Sequence, residues 1–318
     1  MAALTVDFLN TVTDSHKMKG LIDNIWDDSF LGKRLFDSGN IKYQEGDPFE
    51  AQIEYSKAKK GGAYSKYDSK TYAIREFATQ LKYDRKFYSE EVILYDRDLD
   101  VNKGAAQIVD ILTNTVRSAY NNVRDSVFTD LFRLASVTPD VEDIKLNSLE
   151  DLFNQTSTTA FGNLAANQFS GWAASVDSTT ALAALTQTLY KTILRGVYKG
   201  AGRMLRPTIG VTTQAIWNKI ESLEISKQLD QYKKDLNLGK ESITIDGIPI
   251  VVDTFQNAGY LDFLNEDYIK LFINSNDNFN KSSWEKSQVK RAMISDVTLT
   301  ANFGCTRRDV HARMSALV

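Results

Sequence analysis

Between Ala105 and Leu134 the chain has neither glycine nor proline, and its apolar residues recur in steps of three and four. The stripe is Ala105, Val109, Leu112, Val116, Ala119, Val123, Val127, Leu131 and Leu134. That is the period of one face of an α-helix. Asn102 precedes it, and its side chain can accept a bond from an orphan N–H at the helix start. A helix over this run is about 48 Å long at 1.5 Å per residue. A compact chain of this size has a radius of gyration of only about 20 Å. The helix therefore spans a domain as a spine. Asp110, Arg117, Arg124 and Asp125 in its middle exclude a membrane span.

A second feature outruns the globule. Phe49, Ala51, Ile53 and Tyr55 alternate with Glu50, Gln52, Glu54 and Ser56, and Phe77, Thr79, Leu81 and Tyr83 alternate with Ala78, Gln80, Lys82 and Asp84. A period of two places apolar groups on one face of a strand. Gly61 and Gly62 lie between the runs, in a tip rich in Lys57, Lys59, Lys60, Lys66 and Lys70. This pattern predicts a hairpin with limbs of about 15 residues, roughly 50 Å long. A two-stranded ribbon of that length is marginal alone in water. It must fold back on its own body or lie on another subunit.

The remaining segments are of mixed type. Residues 1–39 read as a polar arm with Leu21, Ile22, Ile25, Trp26, Phe30, Leu31, Leu35 and Phe36 at helical spacing, interrupted by Gly20 and Gly32. It is either a short helix on the chain's own core or an arm that docks on a neighbour. Residues 140–177 are polar and irregular. Helices are predicted over 178–199 (Leu182, Leu185, Leu189, Ile193, Val197) and 214–232 (Ile216, Ile220, Leu223), with a short strand after Pro207 through Ile209 and Val211. Asp246-Gly247 between Ile243, Ile245 and the run Ile248 to Val252 signals a tight hairpin. Pro249 donates no ladder bond, so its strand is expected at an edge or to start there. Val297, Leu299, Ala301 and Phe303 alternate with Thr298, Thr300 and Asn302 in a last strand. The fold class is α+β.

Composition narrows the function. With 318 residues, 42% of them apolar, the chain can bury a full core without staples. The single cysteine, Cys305, excludes an internal disulfide and a cysteine-based zinc site. Lys+Arg 38 against Asp+Glu 41 gives a net charge of -3, which does not favour nucleic acid or an anionic membrane surface. The same balance suits a wall that encloses nucleic acid without gripping it. The start, MAALTVDFLN, lacks a basic region and contains Asp7, so no signal peptide is expected. A soluble intracellular protein is the expectation.

No catalytic constellation emerges. Gly239-Lys240-Glu241-Ser242 lacks the upstream glycine and the hydroxyl of a phosphate loop, and Gly200-Ala201-Gly202 lacks the third glycine of a dinucleotide site. No GxSxG elbow occurs. Cys305 lies in an alternating apolar strand and reads as a core residue, with His311 six residues on. Acidic pairs such as Asp27-Asp28, Glu90-Glu91 and Glu266-Asp267 arise by chance in a chain with this many acids. We therefore expect no enzyme, with no catalytic residue, cofactor or metal.

The order of elements resembles the major capsid proteins of tailed bacteriophages, whose shared fold is the Hong Kong 97-type fold. LIDNIWDDSFLGKRLFDSGNIKYQEGD is similar to that family's N-terminal arm, and GGAYSKYDS with ATQLKYDRKFYSEEVILYDRDLDVNKG to its extended loop. The run from Asn102 to Arg133 resembles its spine helix. RPTIGVTTQAIWNKI, SITIDGIPIVVDTF and GYLDFLNEDYIKLFI resemble its axial domain, and DVTLTANFGCTRRDVHARMSAL its closing peripheral segment. The likeness runs from about Leu21 to the C-terminus. It implies an N-terminal arm over 1–39, an extended loop over 40–100, a peripheral domain over 101–178 and 274–318, and an axial domain over 179–273.

The resemblance implies a major capsid protein that forms hexamers and pentamers of an icosahedral head, located in the virion and assembled in the host cytoplasm. Its implied partners are itself, a separate scaffolding protein, a portal, decoration proteins and packaged double-stranded DNA held by non-specific contact, with no membrane. A separate scaffold is implied because the segment before the arm is only about 20 residues. The candidate intersubunit residues are Trp26 and Phe30 of the arm, Phe49, Ile53 and Tyr55 of the hairpin face, and Lys57, Lys59, Lys60, Gly61 and Gly62 of its tip. Some members link a loop lysine to a peripheral asparagine. Lys59 or Lys60 with Asn302 is the corresponding pair, and no such linkage is expected here. The alternatives are an encapsulin-type nanocompartment shell and, in another class, a soluble carboxylate-dependent hydrolase.

Overall fold

The computed structural model describes residues 29–37, 39–55, 66, 76–97, 105–134, 144–154, 160–165, 172–200, 204–225, 243–287 and 291–317. The predicted spine is there: helix α2 (Ala105–Leu131) follows a short α1 (Phe30–Asp37). Leu112, Val116, Ala119, Val123, Val127 and Leu131 of the stripe are buried, while Leu134 lies past the helix end and is exposed. Gly32, expected to interrupt a helix, sits inside α1. A Cβ there would lie 2.1 Å from Cζ of Phe128, so glycine serves a close approach between α1 and the spine.

Strands β1 (Ile41–Tyr43), β2 (Phe49–Glu54), β3 (Ala78–Tyr83) and β4 (Lys86–Tyr95) precede the spine. After it come α3 (Leu149–Phe153), β5 (Ala160–Phe161), β6 (Leu164–Ala165), β7 (Ser175–Asp177), α4 (Gln187–Gly196), β8 (Ile209–Thr212) and α5 (Gln214–Ile225). The chain closes with β9 (Ile243–Ile245), β10 (Ile248–Val252), β11 (Leu261–Leu264), β12 (Ile269–Ile273), β13 (Asn280–Lys281), β14 (Glu285–Lys286), β15 (Ala292–Cys305) and β16 (Ala312–Met314).

These strands form two large sheets. In the first, β15 is the organiser. One edge of it is shared in succession by β14, β13 and β12, and β4 takes the other from Ala292↔Tyr95 to Ala301↔Lys86. β1 adds parallel to β12. The spine helix lies on this sheet, held by Tyr88 Oη donating to Asp130 Oδ2 at 2.8 Å and Asn122 Nδ2 donating to Glu90 Oε1 at 2.9 Å. The second sheet runs β7-β16-β11-β8-β10-β9 and packs a separate core against α4 and α5.

The pairing redraws the expected boundaries. Residues 86–95, read as the return limb of the loop, are an integral strand of the first sheet. β12, at the end of the expected axial segment, also belongs to it, whereas β7 and β16 complete the second sheet. The helix predicted from 178 begins at Gln187. Asp177 accepts bonds from Thr179 N at 2.9 Å and from both threonine hydroxyls that follow, and such local bonds compete with helix formation. Asp246 and Gly247 have φ of 50° and 81°, as the tight hairpin requires. Pro249 does not lie on an edge strand. β10 is flanked by β8 and β9, but its pairing with β8 starts at Ile250, just past the missing N–H.

One buried charge cluster joins the two halves. Arg313 of β16 donates from Nε and Nη2 to Asp262 of β11 at 2.6 and 2.8 Å, and from Nη1 to Glu150 of α3. Its guanidinium lies 4.3 Å from the Phe153 ring centroid and 4.7 Å from that of Tyr260. Burial opposes the Arg313 charge, and Asp262 beside it more than compensates, so its pKa is raised.

Candidate functional site

β2 and β3 pair antiparallel from Phe49↔Tyr83 to Glu54↔Ala78, and Tyr55 N–H donates to Phe77 O at 2.9 Å. This is the root of the predicted hairpin. Its inward face follows from the alternation: Phe49, Ala51, Leu81 and Tyr83 are buried, while Glu50, Gln52, Gln80 and Lys82 turn away from the core.

Aromatic packing fixes the root to the first sheet. Phe49 stacks on Phe272 with centroids 5.8 Å apart. Tyr83 lies between Phe272 at 5.4 Å and Phe161 at 5.4 Å. Its hydroxyl donates to Cys305 O at 2.7 Å and accepts from Cys305 N–H at 3.1 Å. Burial pushes the Tyr83 pKa up, so the group stays a donor. Gly304 leaves room for this seat, because a Cβ there would meet Tyr83 and Phe272 ring carbons at 2.7 Å. Gln44 adds a polar clasp, donating to Glu50 O at 2.8 Å and accepting from Glu50 N–H at 2.9 Å. The seat gives the hairpin a rigid base on a sheet rather than on a loop.

The structure divides the sequence-predicted residues. Phe49 is part of the chain's own core. Phe30, expected to reach a neighbour, is also in that core at 3% exposure, because Ser29 and Leu31 N–H bond Asp253 at 2.8 and 3.0 Å and draw α1 inward. Ile53 is half-buried and packs on the same core. Tyr55 is 37% exposed and open to a partner. Trp26, Lys57, Lys59, Lys60, Gly61 and Gly62 lie outside the described residues.

Asn302 is committed within the subunit. Its Nδ2 donates to Asp84 O at 2.6 Å, and its Oδ1 accepts from Asn147 N–H at 3.0 Å and Phe303 N–H at 2.8 Å. The amide thus ties the hairpin root and the segment before α3 to β15.

Sequence reasoning missed an exposed aromatic pair on β4. Phe87 is 70% and Tyr95 44% exposed, on the face of the strand opposite the spine helix. The signal was present as alternation, but Tyr88, Val92 and Leu94 put apolar groups on the other face too, so the period did not name an outside.

Cys305 and His311 do come together, with Sγ 3.4 Å from Nε2. Asn265 N–H donates to His311 Nδ1 at 3.1 Å, which leaves the ring proton on Nε2, pointing at sulfur. Burial pushes the thiol up to about 12 and the imidazole down to about 3. Both are therefore neutral, the histidine has no free lone pair toward sulfur, and the geometry is that of a core contact. Iodoacetamide should leave Cys305 unmodified in the folded protein at neutral pH and modify it promptly after unfolding in urea. Rapid labelling of the folded chain would contradict this assignment. Among the described residues no group of acids, histidines or cysteine has metal-site geometry, and no helix is long and apolar enough to cross a membrane.

No protein-family model matches the chain. No curated protein matches it. Solved structures do. The capsid of cyanophage A-1(L) superposes with a TM-score of 0.64 at 11% identity, over 87% of this chain and 90% of that one. The capsid of an empty GTA particle gives 0.60 at 10% identity, over 89% and 90%. The SrpI encapsulin of Synechococcus elongatus PCC 7942 gives 0.54 at 13% identity, over 89% and 87%. At identities this low the likeness is one of fold, and with its spine helix, rooted hairpin and two sheets the chain has the Hong Kong 97-like fold of tailed-phage capsid proteins.

Proposed function

We propose that this chain is a major capsid protein, a structural subunit that associates with copies of itself as hexamers and pentamers of an icosahedral shell around a phage genome. The observation that carries the reading is the hairpin: a ribbon seated by Phe49 and Tyr83 on the subunit's own sheet, with residues 56–76 beyond its paired root. A rigid base suits an element that reaches a second subunit. The fold shared with capsid proteins over most of the chain supports the same reading. A separate scaffolding protein, a portal, decoration proteins and non-specific contact with double-stranded DNA belong to the proposal, as do assembly in the host cytoplasm and the absence of a catalytic role.

The likeness to an encapsulin favours a second reading, a cellular compartment with the same shell. Electron microscopy of the chain expressed in a bacterial cytoplasm, alone and with its neighbouring genes, tests both. Closed shells tens of nanometres across, or rings of five and six, are expected. Double-stranded DNA inside particles made with the neighbouring genes supports the phage head, and a protein cargo supports the compartment. Small particles under both conditions would overturn the proposal.

A further inference from the structure

The first sheet has one face that the subunit leaves open. Residues directly opposite in paired strands share a face. Across β4, β15 and its edge partners the open rows are Tyr95 with Ala292, Ile93 with Ile294 and Glu285, Glu91 with Asp296, Ser89 with Thr298 and Asn280, and Phe87 with Thr300. Two observations make this face unusual. Phe87 and Tyr95 present large rings to solvent at its two ends. Between them Glu91 faces Asp296 directly, with Glu285 in the adjoining row. Like charges opposite one another in a sheet are unfavourable, and among the described residues no lysine or arginine forms an ion pair with any of the three.

The complementary chemistry is in the same chain. Residues 56–76 carry Lys57, Lys59, Lys60, Lys66, Lys70 and Arg75 against Asp68 and Glu76, in a protein of net charge -3. Tyr64, Tyr67 and Tyr72 are interspersed with the cations. A cationic, tyrosine-bearing ribbon matches a face of acids bracketed by aromatic rings, both in charge and in apolar surface to be covered.

We propose that the open face of β4 and β15 is the seat for the 56–76 hairpin tip of a second copy of this chain, with Glu91, Asp296 and Glu285 meeting its lysines and Phe87 and Tyr95 covered by its tyrosines. The proposal rests on the shell reading and names the surface on which that reading's hairpin lands.

A charge exchange tests it. Glu91→Lys with Asp296→Lys, and separately Lys59→Glu with Lys60→Glu, should each lower the yield of shells about tenfold or more, since like charges then meet at the contact. Combining all four substitutions should restore most of the yield. Carbodiimide treatment of wild-type shells made from mixed light and heavy-isotope subunits should link Glu91 or Asp296 to a tip lysine of a different copy, a readout that needs no variant to fold. Wild-type yields from either double variant, no recovery in the combined one, or links confined to a single chain would overturn the seat. Wild-type protein that forms no shells would instead count against the shell reading itself.

Discussion

Arg313→Ala is expected to cost about 3–5 kcal/mol of subunit stability, because removing one partner of a buried pair strands the other's charge. Asp262 is fully buried, and its two oxygens accept from Arg313 Nε and Nη2, with Gln256 Nε2 as the remaining donor at 2.9 Å. Phe153 and Tyr260 would also lose the flat cation between them. Arg313→Lys should rescue little, since a single ammonium cannot supply the paired N–H groups or the stacking. Arg313→Met with Asp262→Leu should be far milder than the single change, because no buried charge is left behind. Glu150 would then stand alone, but it is partly exposed and lies in the first turn of α3, where a negative charge is favoured. Urea unfolding of the isolated subunit measures all three. A loss below about 1 kcal/mol for Arg313→Ala would show that the cluster is not a clamp between the halves.

Tyr83→Ala should cost about 3–5 kcal/mol, the range for deleting a buried aromatic side chain. It removes the ring between Phe272 and Phe161 and both bonds to Cys305. Tyr83→Phe isolates the hydroxyl and should cost about 1–3 kcal/mol, since the Cys305 N–H loses an acceptor in a dry environment. Thermal unfolding gives both values. Limited proteolysis adds a local readout: in Tyr83→Ala, cleavage should appear within β2 and β3 at temperatures where the spine is still protected. Protection of β2 equal to wild type would show that the root holds without Tyr83.

What the sequence disclosed is what neighbours in sequence decide. The spine was legible because Leu112 to Leu131 repeat within one element, and the β9–β10 hairpin because Asp246-Gly247 is a local device. Distant partners hid the rest. Gly32 looked like a break until Phe128 closed over it, and α4 looked longer because the pull of Asp177 on two threonines is invisible in a hydrophobic period. Phe30 and Phe49 read equally as anchors for a neighbour or as core. The structure spends them on α1 and on Phe272. The open face of β4 escaped notice because its identity depends on β15, some 200 residues away.

The place of β15 also sets an order of events during synthesis. Four strands, β4, β12, β13 and β14, pair with it directly. The second sheet waits in the same way for β16, which sits between β7 and β11. A nascent chain that stops short of residue 292 therefore has the spine helix but no strand to close either sheet around it. Ribosomes translating one message side by side hold such chains at high local concentration, where premature contact would be most damaging. Placing both closing strands late means that prematurely terminated polypeptides never acquire a finished surface, and the fold itself becomes a check on which products enter an assembly.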